Sequence, residues 1–367
     1  MQSRFEEFKA SMRPRLKEWR FMFKRMRQSR IAFAGLIIVL VFAGIAVCAP
    51  LLAPPQGDPF SIPQDQELLI LQPNPTPPTY RHIFGTTDQQ YDLYYACIWG
   101  SITAFRTGLS VVAFSLVVGL LVGTIAAMYG GLLDEALMRI TDIVIAFPGL
   151  ILAMALVIAF PSVLSINLSL VLLLVLVVAS FVLLAFHFDK KVLLIVQLLL
   201  LSSLVSTLFY PFAMSITLSR LDKVLVSIAL VGWPGYTRVI RGEVLRVKNE
   251  DYVEASRASG SSDFRLIVKH IWPNTIYPIL IVATLDIGSV VLSAAALSFI
   301  GLGADPNFAD WGQVIQRSRN WISNIDLIVA NFHAFAIPGV FITFFVMGWN
   351  LLGDALRDVL DPMLRRR

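Results

Sequence analysis

The sequence predicts an all-α, multi-span membrane protein, and three observations carry that prediction. Its 367 residues are 56% hydrophobic and only 15% charged, against about 25% charged in an average soluble protein. The mean hydropathy is +0.71. Uncharged runs close to or above the roughly 18–20 residues needed to cross a bilayer as a helix recur along the chain. A soluble globule of this length would need far more charge to cover its surface. The 25 Phe and the long Leu/Val/Ile runs exclude a disordered chain. Cys48 and Cys97 are the only cysteines, and Cys48 sits inside an apolar run, which excludes a disulfide scaffold.

In chain order the uncharged runs fall at 31–53, 107–129, 143–160, 163–186, 192–219, 224–237, 275–301 (carrying one Asp) and 332–352. The run at 224–237 spans only if it borrows residues from its flanks. Eight spans put both termini on one side. The basic stretch before residue 31 is too long for a signal n-region and the run that follows is too long for a signal core, so 31–53 is expected to be an uncleaved first span. Lys and Arg settle the orientation. Residues 1–30 hold ten, 238–270 hold seven, 357–367 hold four, and Lys190, Lys191 and Arg139 lie in short turns, so eight spans collect 24 of the 30 basic residues on one side. That side is expected to be the cytoplasm. The net charge of +5 then expresses topology and attraction to anionic lipid rather than nucleic-acid binding.

Two polar stretches stand out. Residues 54–103 are expected outside the membrane, with eight prolines from Pro54 to Pro78 that favour extended segments and turns over regular helix. This stretch reads either as a solvated external loop or as a docking lip for an external partner. Residues 238–274 are expected in the cytoplasm. Asn249 is a candidate N-cap, and Glu250, Asp251 and Glu254 crowd a first turn where the helix dipole favours anions. Val253 and Ala255 form a small apolar face, and Gly260 fits a helix stop. Ser262 or Asp263 begins a second short helix carrying Leu266, Ile267 and Ile271, which Pro273 ends. The expected product is a helix–turn–helix against the membrane face, either an ordinary charged loop or a ridge suited to another protein's groove.

The residues here carry a family resemblance. Tyr252–Val253–Glu254–Ala255, Gly260 and His270–Ile271–Trp272–Pro273–Asn274 resemble the "EAA" loop of permease subunits of ATP-binding-cassette importers, more narrowly the C-type permeases of the dipeptide/oligopeptide/nickel group. Arg30–Ile31–Ala32 through Ala49–Pro50–Leu51–Leu52–Ala53, His82–Ile83–Phe84–Gly85–Thr86, Tyr129–Gly130–Gly131–Leu132–Leu133–Asp134–Glu135, Arg139, Asp142, Phe147–Pro148–Gly149–Leu150, Trp233–Pro234–Gly235–Tyr236–Thr237–Arg238, Leu297–Ser298–Phe299–Ile300–Gly301–Leu302–Gly303, Trp311–Gly312 and Asn350–Leu351–Leu352–Gly353–Asp354 follow in the family's order. The resemblance implies a six-span type I permease core and a coupling loop, with Asp251, Tyr252, Glu254, Ala255, Gly260, His270, Pro273 and Asn274 meeting a separate ATPase. It also implies a related but different second permease subunit, two ATPase subunits that bind ATP and magnesium, and an extracytoplasmic solute-binding protein, all at a prokaryotic inner membrane. The chain has no G-x-x-x-x-G-K-[ST] loop with which to cradle a nucleotide itself.

Three departures qualify the likeness. Thr87–Asp88–Gln89–Gln90–Tyr91–Asp92 stands where the family usually has an Asp followed by Gly-Arg-Asp. Residues 161–223 are extra, and two uncharged runs separated by Lys190 and Lys191 predict an inserted transmembrane hairpin, either lipid-facing or in contact with a further subunit. Ala294 replaces the usual Glu before Leu-Ser-Phe, while Asp286 lies about 15 Å into the seventh span, where an unpaired carboxylate costs several kcal/mol. Asp286 either faces the translocation path or is satisfied by Ser289 or a neighbouring helix.

The expected organisation is a basic segment 1–30, a first helix 31–53, an external loop 54–103, core helices in 104–160, the hairpin 161–223, and a core 224–367 containing the coupling loop 238–274. Gly119-x-x-x-Gly123 suits close helix packing, and Pro234–Gly235 is expected to break the sixth span. His82, His187, His270 and His333 are scattered with no metal-ligand spacing, and no Ser/His/Asp set suggests catalysis. The expected function is therefore a non-enzymatic permease for di- or oligopeptides. The alternatives are nickel or another small solute with the same architecture, or a proton-coupled carrier using Asp286.

Overall fold

The computed structural model describes residues 29–71, 74–167, 198–200, 202, 213–321 and 325–360. The basic segment 1–30 is described only at its end. The loop of the expected hairpin with His187, Lys190 and Lys191, and the tail 361–367, lie outside the described residues.

The chain divides into two compact units, one reaching to Val157 and resuming at Val224, the other Ile158–Lys223. In the first unit, α1 (Arg30–Leu52) begins after Ser29, whose side chain accepts from the Ala32 N–H at 3.4 Å. A short α2 (Gln66–Leu71) follows. The long α3 (Leu93–Tyr129) starts well inside the stretch expected to be loop, because Asp92 caps it by accepting from the Tyr95 N–H at 2.8 Å. Then come α4 (Gly131–Ala146) and α5 (Gly149–Ala159), α6 (Arg220–Lys248), α7 (Asp251–Ala258) and α8 (Asp263–Leu266). The last three are α9 (Trp272–Phe299), α10 (Trp311–Arg317) and α11 (Ile325–Leu360).

Among the described residues four helical stretches are long and apolar enough to cross a membrane: Arg30–Leu52, Leu93–Tyr129, Asp263–Phe299 and Val329–Asp358. The pair α4 and α5 adds a fifth if it is one span. The run 143–160 is thus not a single straight helix. The chain bends by 92° between α4 and α5, where Pro148 lacks the N–H that would continue the ladder. Pro234 behaves in the opposite way to expectation. Helix α6 runs through it for 29 residues, about 43 Å, and delivers the chain unbroken to Lys248.

The helices of this unit meet through small residues and aromatics. A Cβ on Gly35 would lie 2.6 Å from Leu351, and one on Gly348 would lie 2.7 Å from Ile38, so α1 and α11 approach at glycine. Gly119 and Gly123 perform the same role between α3 and α6, facing Tyr236 and Thr237, the packing expected for this pair. Phe42, Trp311, Phe341 and Phe345 pack with centroids 5.5–5.9 Å apart, tying α1, α10 and α11 together.

In the second unit, residues at both ends of the expected hairpin are strands. β1 (Val163–Asn167) pairs antiparallel with β2 (Ala213–Thr217), from Val163↔Thr217 to Asn167↔Ala213. The helical runs set at 163–186 and 192–219 therefore do not begin and end as helix. Val163, Ile166, Ile216 and Thr217 are β-branched, and two adjacent short segments of that kind gain more from a ladder than from separate helix ends. Ser219 and Asp222 then form a capping box at the start of α6, at 3.1 Å in each direction.

Candidate coupling site

Helix α6 leads through Asn249 and Glu250 into α7. Glu250, rather than Asn249, occupies the N-cap in extended conformation, and its side chain makes no capping bond. Asp251 and Glu254 occupy the first turn, an anionic tip that complements the helix dipole. Val253 is 1% exposed and anchors the helix, whereas Tyr252 is 43% exposed. The apolar face expected from Val253 and Ala255 divides: Val253 is buried, and Ala255 is exposed together with Glu254. Burial pushes the Tyr252 phenol upward, and the charge of Glu250 adds to the shift.

The stop after α7 is a Schellman motif. The Ser261 N–H donates to Ser256 O at 3.2 Å and the Gly260 N–H to Arg257 O at 2.9 Å, with Gly260 at φ +83°, a conformation that a side chain would strain. Ser256 Oγ lies 3.0 Å from Ser261 Oγ and 3.3 Å from His270 Nε2. The His270 ring also meets Tyr252 at 6.2 Å between centroids. His270 thus joins α7 to the returning chain.

That returning chain is one path rather than a separate helix. After α8 a π-helical turn, Ile267–Ile271, leads straight into α9. Pro273 does not end a helix. It lies in the first turn of α9, directly after the π-helical turn. Asn274 Nδ2 donates to His270 O at 2.6 Å. Leu266 and Ile271 are fully buried, and Trp272 Nε1 donates to Thr124 Oγ1 on α3 at 3.1 Å. Phe264 at the turn is 76% exposed. The site residues therefore split into anchors beneath (Val253, Leu266, Ile271) and an exposed face of Asp251, Tyr252, Glu254, Ala255 and Phe264.

Asp286 lies apart from these, half-buried on α9. Its hydrogen-bond partner comes from a neighbouring helix, one of the two partners expected. The Tyr236 hydroxyl on α6 donates to Asp286 Oδ2 at 2.8 Å. The two residues are fifty positions apart, and no local spacing reveals the pair.

Sequence reasoning missed the order within 54–92. Ile62 and Tyr91 are buried, and Thr86, Thr87 and Gln90 are fully so. Gln90 Oε1 accepts from Thr76 Oγ1 at 2.8 Å and from Thr86 Oγ1 at 2.6 Å, and its amide donates to Asn74 O. The Ile62 N–H donates to Asn307 O and the Ala309 N–H to Phe60 O, both at 2.8 Å, while Phe60 stacks on Phe308 at 5.1 Å. The stretch that departs from the family pattern is thus a hydrogen-bonded hub. The buried Thr and Gln in it were the available signal.

Apolar helices, a bent helix pair and a short anion-tipped helix held out on a long arm define a membrane-spanning helical protein that presents a charged tip. Among the described residues no His/Cys/Asp/Glu group could hold a metal. The chain belongs to the family of binding-protein-dependent transport system inner membrane components, whose model matches residues 119–366. Residues 17–73 match the N-terminal transmembrane domain of oligopeptide transport permease C.

The chain is similar to the dipeptide transport system permease protein DppC of Alkalihalophilus pseudofirmus, with 30% identity over 95% of this chain and 90% of that one. It is also similar to the probable D,D-dipeptide transport system permease protein DdpC of Escherichia coli, with 30% identity over 92% and 89%. The oligopeptide transport system permease protein OppC of Bacillus subtilis shares 26% identity over 95% and 90%. This is therefore a multi-pass inner-membrane permease subunit of an ABC importer, a class that works with ATPase subunits and a binding protein.

Proposed function

We propose that this chain forms half of the path by which di- or oligopeptides, released by an extracytoplasmic binding protein, cross the inner membrane. A homologous but different permease supplies the other half. Two ATPase subunits bind and hydrolyse ATP with magnesium, and this chain is not itself catalytic. The reading has eight spans, with the insert as a membrane hairpin and both termini in the cytoplasm among anionic lipid headgroups. Nucleic acid plays no part. Asp251, Tyr252, Glu254, Ala255 and Gly260 enter a cleft of an ATPase, while His270, Pro273 and Asn274 brace the return. The relatives named for dipeptide and oligopeptide transport support the choice of solute.

The observation that carries the proposal is the exposure of Glu254 and Tyr252 on a helix whose other side is pinned by buried Val253. Glu254→Lys reverses charge at the exposed tip without touching an anchor. The expected result is loss of ATPase co-purification and of ATP-dependent peptide uptake. Uptake that continues without ATPase subunits would instead favour an ion-driven carrier. Asp286 is assigned to the path through its half-exposed position beside Tyr236. Asp286→Asn is expected to slow uptake in a pH-dependent way with the ATPases still bound, and unchanged uptake across pH removes the assignment.

A further inference from the structure

Apolar packing anchors helix α4 only weakly. Thr141 is its single buried residue, and Leu132, Ile140 and Ile143 are all more than half exposed. Both of its ends are bends. Gly130 caps it and Gly131 begins it, at φ +65° and +57°, with nothing within 4 Å of where either Cβ would stand. The 92° turn into α5 follows it. A helix hinged at both ends takes its position from whatever grips its middle.

That grip comes from α6. Arg241 Nε and Nη2 donate to Asp134 Oδ1 and Oδ2, both at 2.6 Å. Arg238 Nη2 donates to Asp142 Oδ1 at 2.6 Å. Lys248 Nζ donates to the last carbonyls of α3, Ala127 O at 3.0 Å and Met128 O at 2.9 Å, beside the glycine hinge. Arg238, Arg241 and Lys248 project from one side of α6, within about 80° at 100° per residue. A bidentate pair fixes orientation as well as distance, so the Arg241–Asp134 fork sets how α4 is turned. Exposed pairs add little stability, so the value of Arg238–Asp142 lies in position. Helix α6 passes into α7 through only Asn249 and Glu250.

We propose that Arg241–Asp134 and Arg238–Asp142 are positioning residues that make α4 move with the coupling segment, carrying displacement of α7 along α6 into the bent α4–α5 pair. This rests on the reading of α7 as the ATPase contact. The step is mechanical, and no bond is made or broken beyond the ion pairs.

The test uses the complete transporter reconstituted in proteoliposomes, reading peptide moved per ATP hydrolysed. Asp134→Asn and Arg241→Gln are each expected to lower that ratio about tenfold, with ATPase subunits still co-purifying and ATP still hydrolysed. The exchanged pair, Asp134→Arg with Arg241→Asp, is expected to recover most of the loss. Single variants that keep the wild-type ratio overturn the proposal. Should a single variant fail to assemble, the outer pair decides. Arg238→Cys with Asp142→Cys, in a Cys48→Ala background, is joined by a short bis-methanethiosulfonate, each thiolate forming a disulfide with the linker and releasing methanesulfinate. The proposal expects joining to raise the ratio and reduction to lower it again, and uptake that stops on joining overturns it. Wild-type uptake that needs no ATPase subunit is a different failure, that of the underlying function, and is read before any variant is made.

Discussion

The segments 54–92 and 238–274 are both polar interruptions in an apolar chain, yet they use their polar groups in opposite directions. In the first, polar side chains turn inward. Gln90 binds Thr76, Thr86 and Asn74, and His82 sits between Asp92 at 2.6 Å and Asp65 at 3.3 Å. In the second, the buried residues are apolar (Val253, Leu266, Ile271), and Asp251 and Glu254 face outward. A region whose polar groups satisfy one another is built to hold its own shape. A region that keeps its charges outside and its anchors beneath is built to be met by something else.

The largest effect follows from removing an anchor of the outward-facing region. Leu266→Ala leaves a cavity under α7 and is expected to cost about 2–5 kcal/mol. Hydrogen exchange should quicken over 251–271 and stay unchanged over 60–92, and ATPase co-purification should fall. Next comes Gln90→Leu, which removes the acceptor used by the Thr76 and Thr86 hydroxyls and the donor to the Asn74 carbonyl, at an expected cost of about 1–3 kcal/mol. Its exchange pattern should be the reverse, fast over 74–92 and unchanged over 251–271, with the ATPases retained. Exchange that spreads to both regions in either variant would erase the distinction between them. Phe264→Ala sharpens it further. At 76% exposure this ring contributes little to the isolated chain, within about 0.5 kcal/mol, yet the proposed docking predicts measurably weaker ATPase binding in a titration of purified subunits.

The same contrast explains what was legible in the sequence. Apolar runs located α1, α3, α9 and α11 to within a few residues, except where α3 extends back to Leu93 and α11 runs on at both ends, because hydropathy reports burial in lipid directly. The ends of α7 were nearly legible too. Gly260 marked the stop by its backbone freedom, and the anions marked the start, with the cap displaced by one residue to Glu250. Prolines were misread in both directions. Pro148 bends the chain by 92° although no charge interrupts 143–160, while Pro234 lies inside a continuous helix, as prolines in membrane helices can. Long-range partners were illegible. Tyr236–Asp286, Arg241–Asp134 and Gln90–Asn74 join residues whose separation along the chain obeys no period, and only the packed fold brings them together.

The smallest expected effect lies in the inward-facing region and carries a sign. Asp65 Oδ1 accepts from the Leu68 N–H at 3.0 Å at the start of α2, while Oδ2 faces the His82 ring. The Leu68 N–H is the leading cause that holds the Asp65 carboxyl below the usual carboxylate range, with His82 contributing against the opposing pull of burial. A carboxyl whose folded pKa lies below its unfolded value, roughly 4, stabilises the fold above that pH. It loses the contribution as pH falls through the folded value. Thermal melting of the wild-type chain should therefore drop more steeply as pH falls below about 4 than melting of Asp65→Asn, and the two curves should run parallel above about pH 5. His82 Nδ1 and Nε2 both face carboxylates, and only the doubly protonated ring donates to both. Asp65→Asn keeps a group that can accept from His82 while removing the charge. A slope equal to wild type would remove Asp65 as a source of the acid sensitivity and shift the weight of this region's inward-facing design to Asp92 and Gln90.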